Sequence, residues 1–343
     1  MPSSPIERRD DTDVVASVAG SLSGEQVVAV EPCRVGGNNR VYRIQTRGGP
    51  FALKSYGSTE LDERDRLGHE YDGLRFLKAA GIGTALPAAL AVDRAAQCAL
   101  YEWIEGAPVT DHGSAEIAAA LALAAALHRA RAAAGAASLP IATEAVLRLA
   151  DLVDQIERRL ARLAAVATGE ADLVAFLDAD LRPELARALA RLAEWDAGSL
   201  LGPACRTLSP SDFGFHNALR RADGTLCFID FEYFGWDDPA KLAADFLWHP
   251  AMQLSTMERR QFVRGATDVY GDDPAFVPRL EVCYPLYGIR WSLIMLNEFL
   301  PELWARRAFA GKGGDWGAAK REQLRKARAN LEAVRSHREG QFA

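Results

Sequence analysis

The periodicity of this chain changes once, at Gly106-Ala107-Pro108, and that change limits what it can fold into. Ahead of the break the apolar residues come in short alternating runs. Val27, Val28 and Val30 open one, Val41-Tyr42-Arg43-Ile44 alternates, and Phe51-Ala52-Leu53-Lys54 follows, with Gly36-Gly37-Asn38-Asn39 and Arg47-Gly48-Gly49-Pro50 between them. Runs of period two separated by Gly, Asn and Pro clusters are antiparallel strands on tight turns, so three consecutive strands are predicted over 26–56. Leu67, Tyr71, Leu74 and Leu77 then fall at helical spacing, with Gly81 as a stop, and predict a helix over 60–80. Pro87–Val92 and Ala99–Ile104 read as two further strands.

Beyond the break the pattern is helical. Ser114 can cap a long Ala/Leu helix to about Ala134, and amphipathic helices follow near 143–166 and 180–196. Residues 205–235 are turn-rich and contain the short strand Leu226-Cys227-Phe228-Ile229, after which helices resume near 241, 256–270, 277–300 and 316–337. The expected organisation is a flexible leader over 1–24, a small sheet with one helix over 25–105, and a larger helical unit over 106–343.

Composition removes several function classes. A net charge of -6 and a pI near 5.6 argue against nonspecific nucleic-acid binding, which needs clustered Lys and Arg. Many arginines stand beside acids, as in Glu157-Arg158-Arg159, which is the pattern of a solvated helix face. Cys33, Cys98, Cys205, Cys227 and Cys283 are scattered, with no CxxC, and no HExxH is present. Neither a disulfide framework nor a zinc site is expected, and reduced thiols fit a cytoplasmic protein. Residues 1–13 are polar, without the apolar core of a secretory signal, and the longest apolar stretch, Ile117–Leu127, is too short to span a bilayer. No membrane or nucleic-acid partner is expected, and the oligomeric state stays open.

The chemistry concentrates in Asp212-Phe-Gly-Phe-His-Asn217 and in Phe228-Ile229-Asp230. Asp212 and Asn217 share one irregular loop, and Asp230 ends a strand that returns beside it. A loop followed by a hairpin can bring two oxygen ligands and a carboxylate base to one point. Phosphoryl transfer uses such a set: hard oxygen donors for Mg²⁺, and a carboxylate to orient and deprotonate a hydroxyl. An Asx-rich turn leading into a hairpin would show the same spacing. Upstream, Lys54 alternates with Phe51 and Leu53 on a strand, and Glu70 borders the buried stripe of the following helix. A carboxylate there needs a cation, and Lys54 is the natural one. In the Gly36-Gly37-Asn38-Asn39 turn, Gly and Asn tolerate positive φ and allow the backbone to approach phosphate oxygens. Taken alone, the segment is equally a plain hairpin turn.

In these residues the chain resembles the aminoglycoside phosphotransferase and choline kinase superfamily over roughly 25–300. The resemblance implies an α+β, protein-kinase-like two-lobed fold, with a small antiparallel sheet and one helix in the N-lobe and a mainly helical C-lobe. It implies a small-molecule kinase that uses ATP and Mg²⁺, with Asp212 as catalytic base, Asn217 and Asp230 as metal ligands, and Lys54 and Glu70 aligning the phosphates. It further implies Gly36, Gly37, Asn38 and Asn39 as the phosphate loop, and the strand end at Glu102 and Ile104, in Leu100-Tyr101-Glu102-Trp103-Ile104-Glu105-Gly106, as the hinge against adenine. Asp238-Pro239 and Asp245 match a family element that follows the metal aspartate, with Asp245 structural, and Leu127-His128 matches a family Leu-His. The acceptor, a hydroxyl-bearing aminoglycoside, sugar or amino alcohol, is expected among Glu232, Tyr233, Trp236, Asp237, Arg290, Trp291 and Glu298. These acidic and aromatic groups suit a polyhydroxylated or aminated ligand.

The chain also departs from the pattern. Pro210-Ser211 stands where the family has His-Gly, so the loop must be braced by Pro210, His216 or Asp245. Phe231-Glu232 follows Asp230 where a protein kinase has Phe-Gly, and no APE-type segment comes after. This points to a small-molecule acceptor. The first departure also supports a second reading, a kinase-shaped nucleotide-binding or regulatory protein impaired in catalysis.

Overall fold

The computed structural model describes residues 12–33, 39–56, 64–196, 198–307, 314–337 and 342. The chain divides into two compact units, each assembled from separate stretches: 1–112, 125–143 and 210–235 in the first, and 113–124, 144–209 and 236–343 in the second.

The first unit is built on a five-stranded antiparallel sheet, with strands β1 (Val27–Pro32), β2 (Asn39–Thr46), β3 (Pro50–Tyr56), β4 (Ala89–Asp93) and β5 (Cys98–Glu102) in the order β1-β2-β3-β5-β4. Strand β3 is central, and Lys54 is paired with Val41 on one side and Ala99 on the other. Alternation along the strands sorts side chains between the two faces. Tyr42, Ile44, Leu53 and Leu100 pack under helix α1 (Thr12–Ser23), whose Val15 and Ala19 are buried in the same cluster. Of the flexible leader expected over 1–24, residues 12–23 form this helix, and 1–11 lie outside the described residues. Burying Val15 alone contributes about 1.5–3 kcal/mol, and such packing outweighs the weak propensity of a helix rich in Ser and Gly. Lys54 and Tyr56 sit next to α2 (Arg66–Ala79). Helix α2 is started by Asp65, whose carboxylate accepts from Gly68 N–H at 2.8 Å, and it buries Leu67, Tyr71, Leu74 and Leu77.

The rest of the first unit carries the loop and hairpin read in the sequence. Strands β6 (Ala107–Pro108), β8 (Ala218–Arg220) and β9 (Leu226–Phe228) form a second antiparallel sheet in the order β6-β8-β9. Gly106 lets β6 approach β8, because a Cβ there would lie 2.9 Å from the Arg220 carbonyl oxygen. Helix α3 (Ser114–Ala130) runs through the point where the chain passes from one unit to the other.

The second unit is mainly helical: α4 (Leu149–Val166), α5 (Ala171–Ala175), a π-helical stretch Phe176–Leu181, α6 (Arg182–Leu192), α7 (Pro239–Trp248), α8 (Thr256–Val269), α9 (Phe276–Met295), α10 (Pro301–Arg307) and α11 (Trp316–Ser336). Short strands β7 (Thr207–Ser209) and β10 (Gly235–Asp237) pair with each other. Helix α9 is the axis, with α4, α6, α7 and α11 packed on it. Gly288 makes this possible, since a Cβ there would fall 2.4 Å from Val334 on α11 and 2.9 Å from the Trp248 ring on α7. No helix among the described residues is long and apolar enough to cross a membrane.

Candidate active site

The loop from Pro210 to Asn217 is shaped by its own backbone. Ser211 takes φ 67°, the left-handed region that glycine occupies without cost, and its hydroxyl donates to the Thr143 carbonyl at 3.0 Å. Two donors grip the Asp212 carboxylate. His216 Nε2 lies 3.1 Å from Oδ1, and Asn217 Nδ2 donates to Oδ2 at 3.2 Å and to the Asp212 carbonyl at 3.0 Å. Strands β8 and β9 bring the third residue in. Ala218 pairs with Phe228, and Ile229 N–H donates to the Asn217 carbonyl at 2.8 Å, so Asp230 emerges one residue beyond Asn217's partner. Asp230 also adopts a positive φ of 68°, which turns its side chain off the strand line.

Lys54 sits among three carboxylates. Its ammonium is 2.6 Å from Glu70 Oε2, 2.5 Å from Asp230 Oδ1 and 3.9 Å from Glu232 Oε2. Burial would depress the lysine, but Asp230, Glu70 and Glu232 outweigh it and hold the ammonium well above its ordinary range. Burial raises the Glu70 carboxyl against the pull of Lys54. Glu70 is further fixed by Tyr56, whose hydroxyl donates to Oε2 at 2.8 Å and lies 2.7 Å from the Tyr101 hydroxyl, and by Phe231 N–H at 3.3 Å from Oε1. Helix α2 is fastened to the segment after Asp230 at two more points: His69 Nδ1 bonds the Phe234 carbonyl at 2.6 Å, and Gly73 leaves room for the Phe234 ring, which a Cβ would meet at 2.4 Å.

Three carboxylates around one ammonium leave an excess of negative charge. The Asp230 side chain is 39% exposed, and Asn217, which spends its amide nitrogen on Asp212, offers its amide oxygen. This set of hard oxygens and unbalanced charge fits a divalent cation.

The structure thus brings Asp212, Asn217, Asp230, Lys54 and Glu70 together within the first unit, and adds Asn39 and Glu232 to them. Asn39 opens β2 and is buried against Glu232, to which its amide donates. Gly36, Gly37 and Asn38 lie outside the described residues. At the strand end, Glu102 N–H is committed to the Ala88 carbonyl at 2.9 Å, and its carboxylate accepts from Ala88 N–H at 3.1 Å. Ile104 is buried two residues on. His128 is buried and bonded to Arg131.

The acceptor-side candidates fare differently. Glu232 belongs to the Lys54 cluster. Tyr233 is half-buried in the same unit, with the Arg64 and Arg66 guanidinium groups each 5.9 Å from its ring centre. In the second unit, Asp237 and Arg290, both expected at the acceptor, are buried among partners of the same unit. Asp237 is fully buried, accepts from Val146 and Asp238 N–H, both at 2.9 Å, and from Lys241 at 2.8 Å. Arg290 is buried with Asp245 Oδ1 at 2.6 Å and Gln155 Oε1 at 2.8 Å. Trp291 is half-buried and donates to Asp245 at 2.9 Å, Trp236 is half-buried, and Glu298 is buried. Asp245 itself is held by Arg290, Trp291 and Lys241; burial raises its carboxyl, but the two cations outweigh that and hold it below the usual range.

Sequence reasoning missed Tyr56 and Tyr101 behind Glu70. Tyr56 was within reach, since it lies two residues after Lys54 and period two puts both on one face. All five cysteines are unpaired, and burial pushes the Cys98 and Cys227 thiols up to about 12 and about 11, which keeps them inert.

The fold has counterparts among solved structures. Spectinomycin phosphotransferase APH(9)-Ia, solved with ADP and spectinomycin, aligns over 96% of this chain and 100% of its own at 10% identity, with a TM-score of 0.64. Choline kinase from Cryptosporidium parvum aligns over 95% and 97% at 13% identity (TM-score 0.57), and choline kinase LicA from Streptococcus pneumoniae over 94% and 98% at 17% identity (TM-score 0.56). At such identities the likeness is one of fold. No curated protein sequence matches. The sequence model of the phosphotransferase enzyme family matches residues 29–278, well over half of the chain. The chain therefore belongs to the phosphotransferase enzyme family.

Proposed function

We propose that this protein transfers the γ-phosphoryl group of ATP to a hydroxyl of a small molecule of the aminoglycoside, sugar or amino alcohol class. The observation that carries the reading is the convergence of Asp212, Asn217, Asp230, Lys54 and Glu70 within one unit. Lys54, oriented by Glu70, would align the α- and β-phosphates, and Asp230 with Asn217 would hold Mg²⁺. When bound, Mg²⁺ supplies charge neutralisation at the phosphate oxygens. The turn at Gly36-Gly37-Asn38-Asn39 would lie along the phosphates, and the chain from Glu102 to Ile104 along adenine. Asp212 would accept a hydrogen bond from the acceptor hydroxyl, aim it at the γ-phosphorus and take its proton as the new O–P bond forms and the bond to ADP breaks. The five unpaired cysteines suit a reducing compartment, and we place the activity in the cytoplasm.

The rival reading, a catalytically impaired kinase-like protein, drew on Pro210-Ser211. Ser211 takes a positive φ of 67°, a backbone that glycine adopts without strain, and the Asp212 carboxylate is held at both oxygens. The test is an ATP-consumption screen across aminoglycosides, sugars and amino alcohols, with Asp212→Asn as the control. Acceptor-dependent ADP release that the control lacks is expected. Tight nucleotide binding with no turnover on any hydroxyl compound would favour the rival.

A further inference from the structure

Glu232 looks in sequence like an acceptor contact, two residues past the metal-type aspartate. Its surroundings are those of the nucleotide. It is 4% exposed, accepts from Asn39 Nδ2, lies 3.9 Å from Lys54 Nζ and is hydrogen-bonded by the Tyr233 hydroxyl. Asn39 is the first residue of β2, next in sequence after Gly36-Gly37-Asn38, and its Oδ1 is buried without a hydrogen-bond partner. One buried carboxylate therefore links the start of β2, the lysine, and the segment that carries Asp230.

We propose that Glu232 is a nucleotide-positioning residue that fixes Asn39 and Lys54 in register with Asp230 and makes no contact with the acceptor. The inference rests on the reading of this site as a nucleotide site. It has two consequences. Glu232 and Asn39 act as a unit, so losing either breaks the same link. Glu232 is also the third negative charge around Lys54, so it sets how strongly bound nucleotide depends on a divalent cation: with it, free ADP meets excess negative charge, and Mg-ADP brings the compensation.

The experiment is calorimetric titration of the full chain with ADP, with Mg²⁺ and again with EDTA, and no acceptor present. The proteins are wild type, Glu232→Gln, Asn39→Ala and the double variant, each checked by its thermal melt. Loss of a buried hydrogen bond to a charged group predicts a Kd for Mg-ADP about tenfold higher in each single variant, and no further increase in the double variant. Glu232→Gln should also narrow the gap between Mg-ADP and free ADP, while Asn39→Ala should leave that gap as in wild type. A residue that only supported the fold would lower the melting temperature and leave the Mg²⁺ dependence unmoved. If Glu232→Gln fails to fold, Asn39→Ala carries the test. Mg-ADP affinity at the wild-type level in either folded single variant overturns the proposal. Wild type that binds no ADP at all overturns the nucleotide reading itself, a different result.

Discussion

Replacing Asp245 with Asn should cost the second unit about 3 kcal/mol, and the figure follows from what surrounds it. Asp245 is buried, with Arg290 Nη2 at 2.6 Å, Trp291 Nε1 at 2.9 Å and Lys241 Nζ at 3.4 Å. Asparagine keeps the shape and one acceptor oxygen but removes the charge that both cations face. Taking one partner from a buried ion pair costs about 3–5 kcal/mol, because the other charge stays buried. Here the low end applies, since Lys241 retains Asp237 at 2.8 Å and Arg290 retains Gln155 at 2.8 Å and Glu144 at 4.0 Å. At about 2–4 °C per kcal/mol for a unit of this size, the melting temperature at pH 7 should fall by about 6–12 °C, read by scanning calorimetry. The pH dependence has a definite sign. The folded carboxyl is held below its usual range, so its contribution is complete above the unfolded value of about 3.9 and disappears as pH falls through the folded value. The gap between wild type and Asp245→Asn should therefore stay constant from pH 7 down to about 4 and close below that. A variant that melts within about 2 °C of wild type at pH 7, or a gap that widens in acid, would refute the reasoning.

Three more expectations concern the first unit. Asp212→Asn should lower kcat by ~10²–10⁴-fold with ADP affinity little changed; near-normal turnover on an identified acceptor would remove Asp212 as the base. Lys54→Ala and Glu70→Ala should each reduce kcat/KM for ATP, and their combination should cost less than the sum, as the two share one 2.6 Å ion pair; fully additive losses would separate them. At Ser211, glycine should relieve about 1 kcal/mol of left-handed strain while losing the bond to Thr143, and alanine should lose the bond and keep the strain. Urea denaturation should rank Ser211→Gly above Ser211→Ala, and the reverse order would show that the backbone here is not strained.

The contacts that can be anticipated from sequence are those whose geometry is local. Asp212, Asn217 and Asp230 are joined by one short hairpin, so spacing alone brings them together, and Lys54 and Glu70 each follow from a single period. Helix α1 is hard to see in the sequence because Ser17, Gly20, Ser21 and Ser23 weaken its propensity, and its apolar side packs on the sheet face presented by Tyr42, Ile44 and Leu53. Arg290 and Asp237 suit a polyhydroxylated or aminated ligand by their chemistry, but a charged residue can equally have a buried partner within the fold. For Arg290 the deciding partner is Asp245, 45 residues away, and nothing local announces that pairing.

The fastening of α2 to the segment after Asp230 bears on how such a site could be governed. Drawing Glu70 away from Lys54 would break a buried ion pair, the Tyr56 and Phe231 bonds to Glu70 and the His69 bond to Phe234, and would pull Phe234 off Gly73. Each of these contacts adds to the cost of displacement, which weights the population towards the paired arrangement. A site built this way has almost no idle conformation for a modifying enzyme or effector to trap.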